Sequence, residues 1–153
     1  MASTTARRRF LAACGSATAA ALAGCSGFGD ADGPRIVSKS FERLDSADSE
    51  EVEVSFDAEE NAVRVTGFAY YGSDSCDKPA LQSASYHPDA DALAVRVGSE
   101  RKLFSLACTG VMAGTDYRVT VGFAGGLPGT VEVEEFLDGE RDDGRTVERG
   151  GGD

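Results

Sequence analysis

From Arg35 onward, apolar and polar residues alternate with a period of two along most of the chain. Val52, Val54 and Phe56 alternate with Glu51, Glu53 and Ser55, and Val63, Val65, Gly67 and Ala69 alternate with Arg64, Thr66, Phe68 and Tyr70. A period of two is the pattern of a strand with one face buried. The polar run Asp57 to Asn61 separates the two segments, so they are predicted to form a hairpin. Leu81 to Tyr86 and Leu93 to Val97 flank the turn His87-Pro88-Asp89-Ala90-Asp91, which predicts a second hairpin. Tyr117, Val119, Val121 and Phe123 form the cleanest alternation in the chain. It is broken by Gly125-Gly126-Leu127-Pro128-Gly129, and Val131 and Val133 begin another run. With a first strand near Ile36 to Phe41, the pattern predicts about seven short strands. No segment sustains a helical period over three turns. The expected fold is all-β: a small antiparallel β-sandwich, with an immunoglobulin-like arrangement as one form of it.

The sandwich is expected to occupy residues 35–137. Residues 138–153 are rich in Asp, Arg and Gly and nearly free of apolar side chains, and read as a disordered acidic tail. Ser26 to Pro34 is Gly- and Asp-rich without periodicity, so residues 25–34 read as a flexible linker.

Residues 1–24 have a different character. Arg7 and Arg8, followed by Arg9 and then Phe10 and Leu11, resemble the twin-arginine export motif. From Phe10 to Ala23 runs a mildly apolar stretch interrupted by Gly15, Ser16 and Thr18. It is shorter than the roughly 20 apolar residues a membrane-spanning helix needs, so it reads as the core of a signal peptide. Leu22-Ala23-Gly24-Cys25 resembles a lipobox, in which the Cys thiol takes a diacylglycerol and the chain is cleaved just before it. That resemblance implies a protein held on the extracytoplasmic face of the membrane through a lipid on Cys25. Two acyl chains anchor stably where a single chain is marginal.

Charge sharpens the picture. The chain carries 15 Lys and Arg against 26 Asp and Glu, and removal of residues 1–24 takes away Arg7, Arg8 and Arg9 but no acid, leaving a net charge of −14. Such a surface repels phosphate backbones, which argues against a nucleic-acid partner. Lysine is scarce: Lys39, Lys78 and Lys102 are the only three. Abundant Asp and Glu with scarce Lys resemble proteins of salt-loving archaea, in which molar salt shortens the Debye length to about 3 Å and removes most self-repulsion. Together the signal and the composition resemble twin-arginine-exported lipoproteins of haloarchaea, a resemblance that implies no catalytic residue.

Few residues suggest chemistry. After lipidation of Cys25 and loss of Cys14, Cys76 and Cys108 remain, and outside the cytoplasm such a pair is most simply a disulfide. His87 is the sole histidine and precedes Pro88 in a turn. One His builds neither a two-His copper site nor a three-His zinc site. No Ser sits in a G-x-S-x-G nucleophile motif. Acidic pairs such as Glu134-Glu135 read as solvated by composition, with Asp74 and Asp77 or Asp89 and Asp91 as places for a surface cation. No cofactor is expected. Phe68, Tyr70 and Tyr71 are expected to form an aromatic contact patch beside Cys76. The expected function is a non-enzymatic binding or accessory module of unidentified partner, with an envelope protein partner, a transporter or a respiratory complex as the kinds it would serve. The alternatives are a structural envelope component and, further off, a small surface hydrolase.

Overall fold

The alternating runs pair into two four-stranded sheets packed face to face. The computed structural model describes residues 33–44 and 51–151. Its strands are β1 (Arg35–Arg43), β2 (Glu53–Asp57), β3 (Ala62–Ser73), β4 (Asp77–His87), β5 (Ala92–Arg101), β6 (Met112–Ala124), β7 (Thr130–Leu137) and β8 (Glu140–Glu148). The first sheet has the order β1-β6-β3-β2 and is antiparallel throughout. The second has the order β4-β5-β7-β8.

The inward positions are those the alternation marks. Val63 and Val65 of β3 and Tyr117, Val119 and Val121 of β6 are fully buried against Leu93, Val95 and Val97 of β5 and Val131 and Val133 of β7. β-Branched residues dominate because they suit a pleated surface covered on one side. Ile36, Phe41, Val54, Phe56, Leu81 and Tyr86 close the margins of this core. One open side is latched by Lys39 Nζ, which donates to the Ala84 carbonyl across the sheets at 2.5 Å, and the other by Arg145, which donates to the Val52 carbonyl at 3.0 Å.

Both predicted hairpins form: β2–β3 through Asp57 to Asn61, and β4–β5 through a 3₁₀ turn at Pro88–Ala90. Three features differ from the sequence-based expectation. First, β5 and β7 pair parallel, so the second sheet is mixed. The chain leaves β5, crosses to the first sheet as β6 and returns beside β5 as β7, and two reversals leave β5 and β7 running the same way. Second, the strand order is not that of the immunoglobulin constant fold, whose sheets in chain order would read 1-2-5-4 and 3-6-7. Third, residues 140–148 are no tail. They form an eighth strand, paired antiparallel with β7 from Leu137↔Glu140 to Thr130↔Glu148. The turn between them is Asp138-Gly139, with φ +52 and +85, the two-residue hairpin turn that needs positive φ at both positions.

The topology separates two ends. Arg35, where the chain enters β1, pairs with Ala124 at the end of β6, and the β4–β5 turn lies at this same end. The start of β6, the β3–β4 turn and the β5–β6 loop lie at the other. Along β6 these ends are separated by about 40 Å at ~3.3 Å per residue.

Candidate contact surface

The β5–β6 loop, residues 102–111, is where the chain departs most from burying its apolar residues. Leu103 is 86% exposed, Phe104 95% and Leu106 100%, with Val111 and Met112 also exposed. Among the described residues seven large hydrophobic side chains are exposed, and all but Val37 lie in this loop or next to it on β3 and β6. Single exposed apolar residues are ordinary, whereas such a concentration marks a contact surface.

The loop is built rather than loose. Cys108 is joined to the buried Cys76 of the β3–β4 turn, with the Cα atoms 5.4 Å apart. Lys102 N–H donates to the Cys76 carbonyl at 2.6 Å, and the Ser105 hydroxyl donates to the Lys102 carbonyl at 3.0 Å. A hydroxyl cluster locks the far side: Ser73 Oγ lies 2.7 Å from both Ser75 Oγ and Thr109 Oγ1, and Thr109 N–H donates to Ser75 Oγ at 3.0 Å. Lys102 Nζ donates to the Asp74 carbonyl, and Arg101 Nη2 lies 3.0 Å from Cys108 Sγ. Phe104 has φ +67, a left-handed conformation uncommon for an aromatic residue. The backbone therefore holds its ring in solvent at some conformational strain.

The expected aromatic patch is divided by the sheet. Phe68 and Tyr70 project from the outer face of β3 and meet edge to face at 5.1 Å, with Tyr70 47% exposed. Beneath them lies Gly114 of β6, where an added Cβ would sit 2.4 Å from the Phe68 ring. The two rings cover backbone that has no side chain of its own, a packing role as much as a contact one. Tyr71 does not belong to the patch. It shares the inward parity of Ala69 and is buried, with its hydroxyl donating to Asp74 Oδ1 at 3.0 Å and Arg43 stacked over its ring. Burial and that hydrogen bond both raise the Tyr71 pKa. Arg7, Arg8, Phe10, Leu11 and Cys25 lie outside the described residues.

Of the carboxylates that the sequence offered to a cation, Asp74, Asp77 and Asp91 are engaged by protein groups, and Asp89 is exposed in the 3₁₀ turn. Asp74 accepts from Tyr71 and lies near Arg43 and Lys102, Asp77 accepts from Ser73 N–H, and Asp91 accepts from Tyr86. Among the described residues no three His, Cys, Asp or Glu side chains gather as metal ligands. His87 is exposed at the start of the 3₁₀ turn, at the end opposite the loop. A cleft of about 410 Å³ is lined by Glu51 and by residues of β2, β3 and β8, with Glu53 and Arg145 among its charged groups and Ser55 and Thr66 as its hydroxyls. No histidine lines it.

One buried polar pair was missed by the sequence reading. Glu135 continues the inward register of Val131 and Val133 and is 5% exposed. Tyr117 of the opposite sheet donates to its Oε1 at 2.6 Å. Burial raises the Glu135 pKa. The Tyr117 hydrogen bond opposes this, and Asp143 and Asp142 of β8 add to it. Burial, with Glu135 beside it, also pushes the Tyr117 phenol well above its ordinary value. The pair ties the two sheets together in the core. The chain matches no protein-family model, no curated protein and no solved structure.

Proposed function

We propose that this chain is an exported, lipid-anchored surface module that binds, without catalysis, through its disulfide-pinned loop end. The observation that carries the reading is the exposure of Leu103, Phe104 and Leu106 on a loop fixed by a disulfide and a dense hydrogen-bond network. Soluble proteins rarely hold three large apolar side chains in water at one tip, and such concentrations mark contact surfaces. The export and anchor parts rest on the Arg7-Arg8 motif, the short apolar stretch and Cys25. The disulfide fits an oxidising compartment, and the surplus of acid with few lysines fits a salty one.

Cys25→Ser tests the anchor. Expressed in a haloarchaeal host, wild type is expected in the detergent phase of a phase-separation assay and Cys25→Ser in the aqueous phase. Equal partitioning of both into detergent would refute the lipid on Cys25. The structural-envelope alternative differs at the loop: it predicts that Leu103→Ser, Phe104→Ser and Leu106→Ser together leave every association of the protein unchanged.

A further inference from the structure

Taking the loop end as the binding surface, we propose that its ligand is the interface of a lipid bilayer, into which Leu103, Phe104 and Leu106 insert. Three observations favour lipid over a protein surface. The tip projects, with the three side chains 86–100% exposed. Open clefts lie behind it, one with Lys78, Glu100 and Leu103 in its lining and one with Ser73, Thr109 and Met112, and neither Phe104 nor Leu106 lines them. A protein partner would need a matching pocket, whereas fluid acyl chains close around any apolar projection. The tip is also small: three side chains offer on the order of 500 Å² of apolar surface, and a stable protein interface must add a complementary polar rim to an apolar centre of that size to reach roughly 800 Å² per partner. Insertion of a few side chains into a bilayer has no such minimum, least of all in a molecule already tethered nearby.

Charge is the third observation. Residues 101–115 contain no Asp or Glu, in a chain with 26 of them. Behind the tip stand Arg43, Lys78, Arg101 and Lys102, facing Asp74, Asp77 and Glu100. Lys78 pairs with Glu100 at 2.5 Å, and Arg43 and Lys102 lie within 4 Å of Asp74, so among the described residues the charges at this rim nearly cancel. Elsewhere the acidic surface is repelled by anionic headgroups. Here the apolar tips lead, and long cationic stems stand at headgroup depth. Hydrogen bonds satisfy the Lys102 N–H and carbonyl and the Thr109 N–H at the two ends of the loop, so these groups need no water when the side chains between them insert.

The chain contains no tryptophan, so a single introduced Trp reports one place. The test uses the full chain carrying Cys25→Ser, with Phe104→Trp or Leu106→Trp as tip reporters and His87→Trp as the control at the far end. Each variant is mixed with phosphatidylcholine vesicles with and without phosphatidylglycerol, including a set made with brominated acyl chains. Both tip reporters should shift to the blue and be quenched by brominated lipid, while Trp at position 87 stays unchanged. Replacing Leu103, Phe104 and Leu106 by Ser should weaken vesicle binding by tenfold or more. A second tip position keeps the test meaningful should one reporter fail to fold, which a thermal melt would reveal. Tip reporters silent on vesicles would overturn the proposal. So would equal responses at 87 and at the tip, or a blue shift that grows with protein concentration without lipid, which would make a second copy the occupant. If Cys25→Ser remained in the detergent phase while the tip reporters responded, the anchor assignment would fail and the tip would stand.

Discussion

Gly67, Tyr117 and Glu135 form a unit in which each residue constrains the others. Gly67 pairs with Tyr117 across β3 and β6, and a Cβ at position 67 would sit 2.7 Å from the Tyr117 hydroxyl and 2.9 Å from Glu135 Oε1. Gly67→Ala is therefore expected to push the pair apart and destabilise the fold by about 1–3 kcal/mol in denaturant melts. For Glu135 the sign follows from linkage. Its native pKa is raised above the ordinary 4.5, so its favourable contribution is complete below the unfolded value and is lost as pH rises through the native one. Glu135→Gln keeps an acceptor for Tyr117 and removes the ionisation. It should therefore gain on wild type as pH rises, by on the order of 1 kcal/mol at neutral pH, and show no advantage near pH 4. An advantage that is independent of pH would contradict this. The inward parity of Glu135 was readable from Val131 and Val133, but the acidic composition favoured a solvated reading. Tyr71 was misplaced for a related reason: its parity with Ala69 buries it, and only Phe68 and Tyr70 face out.

At the scale of elements, the alternation identified β1 to β7 because each has a face in the core. β8 has none: only Gly144 and Val147 are even partly buried, and its side chains are mostly charged. It is held by the ladder to β7, by Arg141 near Glu134 and by Arg145 near Glu51. Such a charged strand suits a sheet edge, where it discourages pairing with other chains. Its signal was local, the Asp138-Gly139 turn, rather than periodic. Gly139→Val places a β-branched residue at φ +85 and should destabilise the β7–β8 hairpin by about 1–2 kcal/mol, with faster amide exchange confined to residues 130–148. Truncation after Leu137 should be worse, since it bares the β7 edge and yields aggregates by gel filtration. The apolar loop was also passed over in the sequence, because it has no period. What distinguishes it is Leu103, Phe104 and Leu106 standing in a stretch without a single carboxylate.

For the whole molecule, the disulfide closes a segment with a sequence separation of 32 and fixes the loop end. On the chain-entropy account this constrains the unfolded state by roughly 4 kcal/mol, so Cys76→Ser with Cys108→Ser should lower stability markedly and speed amide exchange across residues 102–111. The net charge, −11 for the whole chain and −14 on the proposed loss of residues 1–24, predicts a melting temperature that climbs with added potassium chloride as repulsion is screened. Under the proposed anchor on Cys25, geometry limits how anchor and tip meet one membrane. The ten peptide steps from Cys25 to Arg35 reach at most about 35 Å, less than the ~40 Å from Arg35 to the loop end. Simultaneous engagement of one bilayer therefore requires a tilted sandwich, not an upright one.

The central claim, that the pinned loop is a lipid-contact tip, is tested most directly in the native envelope. A photo-reactive residue at position 104, or at 87 as control, would be activated in intact cells at native salt, and the adducts identified by mass. The account predicts an adduct of lipid mass at 104 and none at 87. An adduct of protein mass at 104, a dimer of the chain, or no adduct at either position would contradict it.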